Sequence, residues 1–225
     1  MSKRRFGDRD FKNFGTSDDI PLQEELPDEL KELIISKIED RLGNKRARSV
    51  TQKNHIYFEE QITKKTARQL INQIQEVTED ILSLSNKYEL SEVPKIYLHI
   101  NSSGGELFSS FNLADTVKRN KIPIVTIIEG SVASGATFIS VSGSERLMSK
   151  NAFVMIHQLH GPAWGGTFSE AEDDYNNCKL YMDKIMDLYE ETTNLKKSQL
   201  QKMLKHDLYW DADTCLKYGL IDRII

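Results

Sequence analysis

Ser134 stands in the run Gly130-Ser131-Val132-Ala133-Ser134-Gly135-Ala136, after the apolar stretch Ile124–Ile128 and before a helix-compatible segment. A serine on a tight turn between a buried strand and a helix exposes its hydroxyl and has a backbone N–H beside it, which is the geometry of a nucleophile. Turns of small residues are common, so the serine gains meaning only from companions. His157 closes the apolar strand Phe153-Val154-Met155-Ile156. The C-terminal end of a strand is where α/β sheets place functional groups, and a histidine there suits a general base that takes the serine proton and returns it to a leaving amine. Asp207, in Lys205-His206-Asp207-Leu208-Tyr209, is able to hold an imidazole in one tautomer. Gly104-Gly105 follows a strand and can aim an N–H at a developing oxyanion, with the Gly135 N–H as second donor. Losing one such donor costs about 3–4 kcal/mol of transition-state stabilisation. Each piece has a plainer reading as a turn, a structural histidine or a surface acid. His55, His99, His160 and His206 compete for the role of base, and spacing does not choose among them.

The elements that must position these residues follow from periodicity. Residues 1 to about 26 are polar and lack periodic apolar positions. Pro27-Asp28-Glu29 suits a helix start. Leu30, Leu33, Ile34, Ile38 and Leu42 continue at helical spacing, so a helix is expected at about 28–42. Gly43 stops it, and a basic connector runs from Asn44 to Asn54. From His55 strands and helices alternate. Strands are expected at Ile56–Phe58, Ile96–Ile100, Ile124–Ile128, Arg146–Met148, Phe153–Ile156 and Leu220–Ile225. Helices are expected at Ala67–Leu84, Leu107–Arg119, Ser134–Ser142, Phe168–Thr193, Ser198–Lys205 and Ala212–Tyr218. This order reads as an α/β domain with a mostly parallel sheet, over residues 46–225, preceded by a polar N-terminal extension over 1–45.

Composition narrows the function class. The chain has 225 residues, room for one sizeable core. A formal net charge of -4 gives no reason to expect nucleic acid as a partner. Cys178 and Cys215 match no metal or redox spacing and read as buried or half-buried free thiols. No run approaches the ~18 apolar residues of a membrane span, and the charged N-terminus lacks a signal-peptide core. The expectation is a cytoplasmic protein that binds no membrane and needs no metal.

Four separated motifs carry a family resemblance: Tyr97–Gly105, Gly130–Ala136, Met155-Ile156-His157-Gln158 and Tyr218-Gly219-Leu220-Ile221-Asp222. In that order they resemble ClpP, the proteolytic subunit family of the Clp protease, over roughly residues 50–225. The resemblance implies the ClpP/crotonase-like fold of repeated ββα units with a protruding handle helix. Carried across position by position, it implies Ser134 as nucleophile, His157 as base, Asp207 as acid, and the backbone N–H groups of Gly105 and Gly135 as the oxyanion hole. It further implies a homo-oligomer of stacked heptameric rings enclosing a chamber, with polypeptide as substrate. No cofactor is implied, and ATP enters only through a partner unfoldase, a Clp-type AAA+ ATPase. The handle is the Phe168–Thr193 helix, and its stripe of Met182, Ile185, Met186 and Tyr189 reads as a ring-to-ring interface. Departures from the family pattern are Ser103 for a proline, Gly135 for a methionine, His99 for an aromatic residue that docks the ATPase, and His206 for an arginine that couples assembly to the triad. The Ser134-Gly135 pair is also similar to signal peptide peptidase A, a membrane enzyme with a serine–lysine dyad. Two other classes share the fold: a non-catalytic or specialised assembly subunit, and a crotonase-like acyl-CoA enzyme, which needs no triad.

Overall fold

The computed structural model describes residues 54–90, 92–160 and 166–225. The 1–45 extension, where a helix is expected at about 28–42, the connector up to residue 53, and residues 91 and 161–165 lie outside the described residues. Strand β1 (His55–Phe58) alternates exposed and buried positions, with Ile56 and Phe58 inward. Strand β2 (Ile96–Ser102) does the same with Ile96, Leu98, Ile100 and Ser102. Helix α1 (Lys64–Lys87) lies between them in sequence. Thr63 and Thr66 form a reciprocal capping box at its start, satisfying donors that a helix N-terminus leaves orphaned. Its Ala67, Leu70, Ile71, Ile74, Thr78 and Ile81 are buried at spacings of three and four, so one stripe faces the sheet. Helix α2 (Leu107–Arg119) is capped by the Glu106 carboxylate, which accepts from the N–H groups of Phe108 and Ser109.

Strand β3 (Ile124–Ala133) is the centre of the sheet. Ile124–Ile128 are all buried because this half is covered on both faces, which explains a run apolar except at Thr126, whose hydroxyl donates to the Ser140 carbonyl. On one face Val125 and Ile127 pack with Leu147 of β4 (Glu145–Met148). The strands run parallel in the order β1-β2-β3-β4-β7, with β7 at Arg223–Ile224. After Ile128 the strand turns at Gly130, where φ is 60°. The turn interrupts the ladder to β2 between Ile100 and Ser102, and the Asn101 side chain accepts from the Ser131 N–H across the gap. Ser131–Ala133 then pair with β5 (Phe153–Met155), which also receives a short antiparallel strand, β6 (Tyr209–Trp210). Helices α3 (Ala136–Ser140), α4 (Phe168–Thr192), α5 (Lys197–Met203) and α6 (Ala212–Lys217) complete the described elements.

Several expected boundaries shift for identifiable reasons. β3 continues five residues beyond Ile128, because the small residues that read as a turn still pair with β5. Helix α3 starts at Ala136 rather than Ser134, since Ser134 has a positive φ. The last strand is only Arg223–Ile224. Leu220 and Ile221 are core plugs outside the ladder, while Asp222 grips Arg146 in β4. Strand β6 escaped the sequence reading because two residues carry no period. The stripe on α4 is also corrected: Ile185, Met186 and Tyr189 are buried in this chain's own core, and Met182 packs partly against it. The exposed apolar residues of α4 are instead Phe168, Tyr175 and Leu180. Cys178 and Cys215 are both free, the first half-buried and the second buried.

The turn between β3 and α3 is packed to the limit against α2. Gly135 has an ordinary helical φ of -56°, so its backbone admits a side chain. Space does not: a Cβ there would stand 2.2 Å from the Ser110 Oγ and 2.9 Å from the Ser110 Cβ. Gly135→Ala is therefore expected to cost about 1–3 kcal/mol by overpacking, read by urea unfolding. In the double variant with Ser110→Gly the loss should be clearly smaller than the sum of the two single losses. Strict additivity would show that the two positions do not compete for one space.

Candidate active site

Ser134 lies at the end of β3 with φ 55°, one of two non-glycine residues with positive φ among the described residues. Such a conformation costs on the order of 1–3 kcal/mol and needs surrounding structure to hold it. Three hydrogen bonds do so. The Ser134 N–H donates to the Met155 carbonyl at 2.9 Å, which continues the ladder to β5. The Ser134 carbonyl accepts from the Thr137 N–H at 2.9 Å and from the Thr137 hydroxyl at 2.5 Å. The Thr137 hydroxyl is in turn hydrogen-bonded to the buried Tyr189 hydroxyl of α4. Because the Thr137 proton is given to Ser134, Tyr189 is the donor in that pair. Burial drives the Tyr189 phenol far above its ordinary range, so the donor proton is retained. Neither Thr137 nor Tyr189 was singled out as a site residue from the sequence. They lie 52 positions apart, and no local pattern links them.

The strained turn throws the Ser134 side chain toward His157, two residues past the end of β5. His157 Nε2 is 2.8 Å from Ser134 Oγ, a direct hydrogen bond. Burial first, and then the neighbouring His160, hold the His157 pKa below its ordinary value, while Asp207 opposes them. The ring is therefore a neutral acceptor near neutral pH. Asp207 Oδ1 stands 3.7 Å from His157 Nδ1, beyond hydrogen-bonding distance. The Asp207 side chain is 61% exposed against 11% for His157. The Nδ1 atom is buried and has no hydrogen-bond partner among the described residues. His157 and Asp207 thus face each other without being joined. The segments that carry them are joined nearby, because the Gln158 N–H donates to the Leu204 carbonyl at 2.6 Å.

Gly105 and Gly135 meet on the other side of the serine. Gly104 has φ 85° and Gly105 φ 151°, both in the region that favours glycine. A Cβ at Gly104 would lie 2.5 Å from the Ala133 carbonyl oxygen and 2.7 Å from the Gly135 nitrogen, so the two turns touch backbone to backbone. Around them, Ile62 N–H donates to the Gly104 carbonyl at 2.7 Å, and Glu106 N–H to the Ile62 carbonyl at 2.9 Å. The Gly105 and Gly135 N–H groups donate to no other described residue. They line a cleft of about 540 Å³ together with Ser134, His157, Leu159 and His160. Such a pair of aimed donors beside a nucleophile is suited to stabilising a tetrahedral oxyanion.

Of the competing histidines, His160 is the one beside the base, with its ring edge-on to His157 at 4.6 Å. His157, His160 and Asp207 each offer one ligand atom, all within 4.8 Å of one another, and so form a set capable of holding a metal ion. His55 and His99 stand on the other side of β1 and β2, stacked with Tyr97 and Tyr57. There His99 Nδ1 pairs with Glu129 at 2.9 Å. His206 is exposed next to Asp207.

Comparison with known proteins places this site in context. The family model described as Clp protease matches residues 39–225. Proteolytic subunit 1 of the ATP-dependent Clp protease of Chlamydia trachomatis is 28% identical over 184 residues, which is 79% of this chain and 89% of that protein. The proteolytic subunit of Deinococcus radiodurans is 29% identical over 133 residues, 58% of this chain and 65% of that protein. The solved structure of a ClpP1 mutant from Listeria monocytogenes superposes with a TM-score of 0.66 at 23% identity, covering 79% of this chain and 94% of that one. At that identity the likeness bears on the fold alone, and it gives this parallel α/β sheet the ClpP fold. The family match runs through every element from β1 to β7, and the chain belongs to the Clp protease family.

Proposed function

We propose that the chain is a serine endopeptidase of the ClpP type, in which Ser134, His157 and Asp207 act with the N–H groups of Gly105 and Gly135. The observation that carries this reading is the 2.8 Å contact from His157 Nε2 to a serine held on a strained turn beside two uncommitted N–H groups. Ser134 Oγ attacks the scissile carbonyl carbon while His157 Nε2 takes its proton. The carbonyl oxygen becomes an oxyanion between the Gly105 and Gly135 N–H groups. Collapse breaks the C–N bond, and His157 returns the proton to the leaving amine. Water then attacks the acyl-enzyme with the same base, releasing the carboxylate and restoring the serine. Asp207 orients the Nδ1–H of His157, which requires its exposed side chain to close roughly 0.7–1 Å from the present 3.7 Å. Water is the only co-reactant in this scheme.

The same reading makes the chain a cytoplasmic homo-oligomer of stacked heptameric rings that cleaves polypeptide within a chamber. It is supported by membership of the Clp protease family and by the names of relatives such as the ATP-dependent Clp protease subunit of Chlamydia trachomatis. ATP would be consumed by a Clp-type AAA+ partner alone. Among the described residues no helix is long and apolar enough to cross a membrane. Backbone pairing of an extended substrate beside Gly105 and the residues after Gln158 would give loose sequence preference. One observation favours a second reading, a specialised assembly subunit without turnover: the acid does not touch the base.

A fluorophosphonate probe separates the two readings. Labelling is expected at Ser134, abolished in Ser134→Ala, and slowed at least about 10³-fold in His157→Ala, given how strongly triad members depend on one another. An assembled, folded chain that takes up no label would support the assembly subunit.

The pH dependence tests the base separately. Attack needs neutral His157, so the labelling rate should rise with pH through an apparent pKa below the ordinary histidine value of 6.5. His160→Gln removes the neighbour that lowers the His157 pKa and should move the profile to higher pH. Asp207→Asn removes a negative one and should move it to lower pH. A profile unmoved by both variants would detach the titrating group from His157.

A further inference from the structure

We infer that His157, His160 and Asp207 form an inhibitory site for a borderline divalent metal ion, zinc above all, which shuts the proposed serine site by capturing its base. The inference rests on the reading of His157 as that base. Its starting point is a distance that suits catalysis poorly and metal binding well. Two ligands on one tetrahedral zinc lie about 3.3–3.5 Å apart, since each Zn–N or Zn–O bond is about 2.0–2.2 Å. His157 Nδ1 and Asp207 Oδ1 are 3.7 Å apart, too far for a hydrogen bond and close to that ligand spacing. His160 completes the set: each of the three side chains offers one ligand atom within 4.8 Å of those of the other two.

The availability of Nδ1 is a second, independent observation. It is buried and has no hydrogen-bond partner among the described residues, an arrangement that ordinarily calls for a missing partner. The other ring nitrogen is occupied by Ser134. Backbone ties preorganise the set. Gln158 N–H on Leu204 carbonyl fixes the strand-end segment to the loop that carries Asp207. Leu159 N–H on Met182 Sδ at 3.2 Å fixes it to α4. His160 and Asp207 are exposed, so both side chains have freedom to close on an ion, with water completing the coordination. Two imidazoles and one carboxylate suit zinc; magnesium and calcium prefer oxygen donors alone.

The consequence for the serine follows from the tautomer. In the catalytic arrangement the imidazole carries its proton on Nδ1 and accepts the Ser134 proton at Nε2. With zinc on the Nδ1 lone pair, the neutral ring carries that proton on Nε2 and donates it to Ser134 Oγ. The ring's proton count is unchanged, but no lone pair remains to activate the serine. Asp207, drawn onto the ion, is lost as the orienting acid as well.

The test uses the full chain. Zinc binding is measured on Ser134→Ala by competition with a chromophoric zinc indicator, and again with His160→Gln or Asp207→Asn added. Fluorophosphonate labelling is measured on the chain with native Ser134, each variant compared with its own zinc-free rate. Micromolar zinc is expected to slow labelling at least about tenfold, chelator to restore it, and magnesium to leave it unchanged. His160→Gln should weaken indicator competition at least about tenfold, in line with the sensitivity of zinc sites to lost partners, and should bring labelling in zinc back toward its zinc-free rate. Zinc affinity unaffected by both His160→Gln and Asp207→Asn overturns the proposal. So does zinc that binds through these residues yet leaves labelling undiminished. A chain that takes no label even without zinc would sink the proposed peptidase, while the indicator titration would still decide whether the metal site exists.

Discussion

At Gly104 the backbone of the β2–α2 turn comes into contact with the turn that carries Ser134, with no side chain between them. That contact is possible only because position 104 has no Cβ, and the turn takes the positive φ that glycine allows at 104 and 105. Everything else in the site is arranged around it. The parallel ladder from β2 to β3 brings the two turns to the same end of the sheet. Gly130 turns β3 so that its last residues leave β4 and pair with β5. β5 in turn delivers His157 to within a hydrogen bond of the serine. The strain at Ser134 is offset from three directions, by Met155, Thr137 and, through Thr137, Tyr189.

Much of this was legible in the sequence, for unequal reasons. Helix α2 matches its expected span of Leu107–Arg119, because its apolar period lies between the Gly104-Gly105 turn and a basic last turn. β3 was half legible: Ile124–Ile128 announce a buried strand, whereas Ser131–Ala133 carry short side chains or valine, and their pairing depends on β5, twenty-two positions later. The pairing of Ser134 with His157 came from family resemblance, since five histidines compete and periodicity treats them alike. The supports beneath the serine were not legible. Thr137 and Tyr189 look like an ordinary helix residue and an ordinary core aromatic until the fold brings their hydroxyls together. The same holds for Ser110, whose hydroxyl fills the space a side chain at 135 would need.

The electrostatics of the site divide along the line between buried and wet. His157 lies in a half-dry wall where desolvation governs its charge state, and its neighbours act on it as secondary corrections. Asp207 stands in water on a loop before a two-residue strand, where its charge is screened. The weakest link in the proposed relay is therefore the loop from Leu204 to Leu208, which is fixed to the site by one backbone hydrogen bond at Leu204 and by β6 pairing at Tyr209.

Strand β3 pairs with β2 and β4 in its first half and with β5 in its second, and its last residue precedes the nucleophile. No other described strand has three partners. Amides in such a hub exchange with solvent only when the sheet as a whole opens, whereas amides in edge strands and loops exchange through local fraying. Ser134 N–H belongs to that hub through its bond to Met155. By that rule the nucleophile belongs to a unit that opens with the sheet, and the loop holding Asp207 to one that opens locally. The two halves of the proposed relay are thus tied to different clocks, one to opening of the sheet and the other to local fraying of a loop.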